Sequence, residues 1–149
     1  MIRFSSDVRH ARGFTLIELV VVITILGILA AFAVPRFINL QAKAREASIQ
    51  SLQGALRSSS SLTHSMWMVS GQPTTVPMEG ATITMTNGYP SLLTIDDTLV
   101  DATGFAYDDT TGVFTKTGAT TPATCSVSYS PPAALGDPPA ITLDVTNCS

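Results

Sequence analysis

Between Phe14 and Val34 the chain runs for 21 residues with a single ionisable side chain, Glu18. At 1.5 Å rise per residue such a helix spans about 32 Å, close to a bilayer hydrocarbon core of roughly 30 Å. The β-branched run Val20-Val21-Val22-Ile23 would suit a buried strand in water. Lipid, however, requires every backbone group to be satisfied within the segment, and so favours a membrane helix. Arg3, Arg9 and Arg12 precede the run and Arg36, Lys43 and Arg45 follow it, so counting bases does not orient it. Orientation comes from the rest of the chain, which is acidic and able to form a disulfide. The basic leader, residues 1–13, stays on the cytoplasmic side and the C-terminal part crosses.

A carboxylate in an apolar helix costs on the order of 2.5 to 3.5 kcal/mol at the bilayer centre, and less near an end. Thr15 and Glu18 have the spacing of a capping box, and an acid in the first turn is favoured by the helix dipole. A competing reading is an ordinary secretory signal, since Ala31-Phe32-Ala33 offers a small-x-small site and would release a soluble domain starting at Val34. Against it stand the length of the run, the interruption at Glu18 and Pro35 just past the cut.

The stretch Arg12-Gly13-Phe14-Thr15-Leu16-Ile17-Glu18-Leu19-Val20-Val21-Val22-Ile23 resembles the N-terminal signature of type IV pilins and of the pseudopilins of type II secretion. The resemblance implies cleavage between Gly13 and Phe14 by a prepilin peptidase/methyltransferase, with N-methylation of Phe14. Gly13, without a Cβ, suits a tight peptidase cleft. Cleavage leaves an α-amine with an unperturbed pKa of roughly 7.7 to 8, mostly cationic at neutral pH. Glu18 of one subunit then meets the Phe14 amine of the next, with Thr15 beside it. Both desolvation penalties are offset at one axial stagger only, so the pair sets assembly register. The implied partners are further copies of the chain in a helical homopolymer, the inner-membrane assembly machinery, the membrane that holds the precursor, and a surface or host receptor. The implied location is the inner membrane, head periplasmic, then an extracellular surface pilus serving adhesion.

Past Val34, Phe37, Leu40, Ala44, Ala47, Leu52, Ala55, Leu56, Leu62, Met66 and Val69 recur mostly at steps of three or four. They predict an amphipathic helix over 35–70 whose apolar stripe packs on the head, with Arg36, Lys43, Arg45, Glu46 and Arg57 solvated. Met66-Trp67-Met68 reads as core filling. Pro35 lacks the N–H that would reach Ala31, and Gly27 lowers helix propensity, so a weak point is expected there. It is either a simple kink or, as the pilin resemblance implies, a segment that loosens on assembly.

From residue 71 the pattern changes to short alternating stretches. Ala81–Thr86 ends at the turn dipeptide Asn87-Gly88, and Val113–Lys116, Ser126–Ser130 and Ile141–Thr146 read as further strands. Residues 92–102 are ambiguous and could form a short helix. The expected fold is α+β, a long N-terminal helix whose C-terminal half carries a small antiparallel β-sheet head, residues 71–149. Cys125 and Cys148 flank a strand, a Pro-rich loop and a strand, which brings them together in a hairpin. A disulfide there would contribute roughly 3 kcal/mol and implies an oxidising compartment; two free thiols are the alternative. Gly88-Tyr89-Pro90, with Pro35-Arg36-Phe37-Ile38-Asn39-Leu40-Gln41, looks most like the mannose-sensitive haemagglutinin pilins.

Net charge is −3 over 149 residues, but beyond residue 60 Lys116 stands alone against eight acids, a balance that repels nucleic acid. His64 is the one histidine left after processing, too few for a His-rich zinc site, and no phosphate-binding Gly-rich loop is present. No enzyme activity, cofactor or metal is expected. Asp108-Asp109-Thr110-Thr111-Gly112 could hold calcium but reads equally as a polar turn. A major pilin is therefore expected, with a pseudopilin next and a secreted soluble domain third. The cysteine loop favours the pilin; a calcium in the head would favour the pseudopilin.

Overall fold

The computed structural model describes residues 13–78 and 80–149. The basic leader, apart from Gly13, and Glu79 lie outside the described residues. One α-helix, α1 (Leu16–Val69), accounts for 54 residues. Just past its end Gly71 and Gln72 take left-handed backbone angles and the Gln72 N–H donates to the Trp67 carbonyl, closing the last turn. Gly27 and Pro35 both lie inside α1, so the expected weak point does not interrupt the helix in the subunit. A proline there forfeits one backbone hydrogen bond, which the turns on either side survive.

The chain divides into two compact units, residues 1–37 and 38–149. Along the described part of the first, the large apolar side chains are exposed. The second contains two antiparallel sheets where one was expected. The first is built of β1 (Thr75–Met78), β2 (Ala81–Thr86) and β3 (Tyr89–Pro90), in that order. The second is built of β4 (Phe105–Asp108), β5 (Val113–Lys116), β6 (Ser126–Ser130) and β7 (Ala140–Asp144). Asn87 and Gly88 both have positive φ and join paired residues Thr86 and Tyr89, the geometry that a two-residue hairpin requires. The last strand stops at Asp144, short of the expected Thr146, because the Asp144 carboxylate accepts from the Thr146 N–H at 2.9 Å and turns the chain. Residues 92–102 hold a single 3-10 turn at Asp96–Thr98.

The core brings Ile49, Leu52 and Leu56 of α1 against Ile95, Phe114, Val127 and Tyr129. These helix residues, with Thr63 and Trp67, recur at helical spacing and form the buried face. The expected stripe is corrected here. Leu40, Ala44, Ala47, Ala55, Leu62 and Val69 are exposed, because they lie on the other side of the helix. The periodicity had merged two faces into one. Met66 is half-buried and Met68 exposed, so only Trp67 of that cluster fills the core as expected.

Candidate assembly site

At the start of α1, Thr15 and Glu18 form the reciprocal cap that their spacing allows. Thr15 donates from its N–H at 2.9 Å and from its hydroxyl at 2.6 Å to the Glu18 carboxylate, and the Glu18 N–H donates to the Thr15 hydroxyl at 3.3 Å. This satisfies donors that a helix N-terminus otherwise leaves open. Among the described residues nothing is packed around it. Phe14 is 74% exposed, and Ile17, Val21 and Val22 line a shallow apolar surface with Phe14 and Glu18. Among the described residues, α1 is the one helix long and apolar enough to cross a membrane, and none of its most apolar stretch is buried. One chain alone therefore leaves an anion beside an unpartnered greasy face, which can be answered by lipid or by further helices.

In the head, Cys125 and Cys148 are joined in a disulfide, their Cα atoms 4.9 Å apart. β6 and β7 pair between them from Ser126↔Asp144 to Ser130↔Ala140. Two contacts that sequence reasoning missed fasten this loop to α1. The Arg45 guanidinium donates to the Cys148 carbonyl at 3.2 Å, and the Gln53 amide donates to the Ile141 carbonyl at 3.5 Å. Arg45 is consequently half-buried, where a solvated base was expected. Nothing in composition distinguishes Arg45 from its exposed neighbour Lys43. The two sheets are tied by the buried Tyr129 hydroxyl, which donates to the Pro90 carbonyl at 2.7 Å. Burial, then Tyr107 and Tyr89, push the Tyr129 phenol up, so it remains a donor.

At the Asp108–Gly112 turn the Asp108 carboxylate is taken by threonines. The Thr111 hydroxyl and the Thr110 N–H are the leading reasons its pKa lies below the ordinary carboxylate range. Among the described residues no three His, Cys, Asp or Glu groups converge in a way that could hold a metal ion. Gly112 has φ of +72° and a Cβ there would lie 2.2 Å from the Tyr129 carbonyl oxygen, so glycine is required.

Residues 8–34 match the family described as the prokaryotic N-terminal methylation motif. The chain is similar to the type IV narrow pilus major component of Thermus thermophilus, 53% identical over 49 residues, which are 33% of this chain and 42% of that protein. It is similar to the type IV major pilin of Myxococcus xanthus, 51% identical over 45 residues, 30% of this chain and 20% of that one. It is also 46% identical over 46 residues to a type IV major fimbrial protein of Dichelobacter nodosus, covering 31% of this chain and 30% of the relative. In each case the match spans less than half of the relative's length. No solved structure matches. Motif and fold together define a class, chains with a methylation-type N-terminus that opens a long helix bearing a β-rich head.

Proposed function

We propose that the chain is the major structural subunit of a type IV pilus. The observation that carries the reading is the methylation motif over residues 8–34, overlapping the start of α1, where the large apolar side chains as far as Phe37 are exposed among the described residues. The precursor sits in the inner membrane with its head outside the cytoplasm. A prepilin peptidase/methyltransferase cuts between Gly13 and Phe14 and methylates Phe14, and the assembly machinery moves the helix from lipid into a bundle of its own kind. Glu18 changes partner on the way: capped by Thr15 in the single chain, it meets the Phe14 amine of an adjoining copy in the filament. Gly27 and Pro35 supply the place where α1 loosens under assembly. The disulfide loop favours a surface pilin over a pseudopilin. Gly88-Tyr89-Pro90 and the segment from Pro35 to Gln41 support a subtype like the mannose-sensitive haemagglutinin pilins, with surface attachment as the role.

Electron microscopy and intact mass of sheared surface material test this. Filaments built of a chain that starts at N-methylated Phe14 are expected, and a native chain that keeps its first thirteen residues would end the reading. Glu18→Gln should leave a membrane-inserted subunit while filament yield falls at least about tenfold, the scale of losing one close charge pair.

A further inference from the structure

We propose that a groove in the C-terminal unit seats a second copy of this chain, which lays the Leu40–Ala47 stretch of its α1 there; the inference rests on the filament reading above. The groove, about 470 Å3, is walled by Ala55, Ser58 and Leu62 of α1, Met78 of β1, and Leu99 and Val100 of the loop after the 3-10 turn. Asp97 and Asp101 line it as well. Leu62 is 54% and Val100 92% exposed, so the apolar wall faces solvent in the single chain.

Charge identifies the occupant. Among the described residues from 71 onward, Lys116 faces seven aspartates, whereas α1 beyond residue 37 carries Lys43, Arg45 and Arg57 against Glu46. Arg45 is engaged by the Cys148 carbonyl and Glu46 accepts from Gln50 at 3.3 Å. Lys43 remains exposed beside Leu40, Ala44 and Ala47, which are exposed too. Leu40, Ala44 and Ala47 share one helix face by their spacing, and the alanines allow close approach of another backbone. An apolar stripe with a base at its margin complements an apolar groove with two acids; an acidic or polyanionic partner does not. Groove and stripe are different patches, so the contact is heterologous, and every copy offers both halves. Such a contact extends into a line of subunits instead of closing a dimer. With parallel helices, setting Ala44 against Leu62 offsets neighbours by about 27 Å.

Ala44→Cys, Val100→Cys and the double variant, each in the full-length chain, are to be made in cells that assemble filaments from the unaltered chain. The sheared filaments are then oxidised and separated without reductant. The double variant is expected to give a ladder of covalent multimers and each single variant monomers. Double-variant filaments that stay monomeric, or a Val100→Cys chain trapped on a different protein, overturn the proposal and leave the filament reading standing. Failure of the unaltered chain to form filaments overturns both. Where the cysteine pair blocks assembly, charge exchange decides. Lys43→Asp and Asp97→Lys should each lower filament yield about tenfold and together recover it, and absence of recovery overturns the proposal.

Discussion

Leu19 and Leu56 are the same residue type on the same helix, yet Leu19 is 54% exposed and Leu56 is 0% exposed. The difference lies in what surrounds each within one chain. Leu56 lies in a core with Phe114, Val127 and Tyr129 of the second sheet. Leu19 belongs to a run in which apolar side chains cover every side of the helix, a pattern that water does not tolerate and that lipid or neighbouring helices do. One region buries its apolar side chains within the chain and the other, among the described residues, does not. A single chain can thus be stable in its head and still incomplete.

Paired substitutions break or sharpen this contrast. The largest effect is expected from Phe114→Ala, which empties a position that is 0% exposed and should lower head stability by about 3 to 5 kcal/mol in urea unfolding of the detergent-solubilised chain. Phe14→Ala removes the same side chain from a residue that is 74% exposed. It should leave that unfolding midpoint unchanged while depressing filament yield. A matching loss of head stability would show that the two regions are not independent.

Next comes Cys125→Ser, which opens a loop with a sequence separation of 23 and should cost roughly 3 kcal/mol. Unfolding with and without reductant checks it: reductant should destabilise the parent and leave the variant where it is. The smallest effect is expected at Asp96. Burial, and then the charges of Asp97 and Asp109, raise its pKa above the ordinary 3.8, although backbone hydrogen bonds pull the other way. A raised carboxyl pKa means that ionisation opposes folding. The cost is absent below the unfolded value, develops as pH rises through the folded one, and is complete above it. Asp96→Asn should therefore stabilise slightly at neutral pH and lose that advantage as pH falls below about 4, where the parent is also uncharged. An advantage independent of pH would assign the effect to packing.

Legibility in the sequence followed how local the cause was. The cap at Thr15 and Glu18, the Asn87-Gly88 hairpin, and the strands Val113–Lys116 and Ser126–Ser130 each depend on residues a few positions apart, and each was readable. β1 escaped notice because Pro77 interrupts its pattern, which an edge strand accommodates. β3, with two residues, was too short to register. The division into two sheets depends on long-range closures such as Tyr129 to Pro90, 39 residues apart, which no window along the chain contains. The helix faces failed for a different reason. Leu and Ala recur on both sides of α1, and periodicity alone cannot say which side meets the head until the partner surface exists. At the candidate site the Thr15–Glu18 cap was legible, and the clasp of Arg45 was not.

That clasp changes how the end of the chain responds to mechanical load. β7 is an outer strand of its sheet, paired on one side with β6. Left to itself such a strand unzips from its free end one bond at a time. Here the end is stitched to the start of β6 and pinned to α1 through the Cys148 carbonyl. Load on the tail passes through the disulfide straight into the start of β6, so the β6–β7 hairpin that the bond encloses is not unzipped.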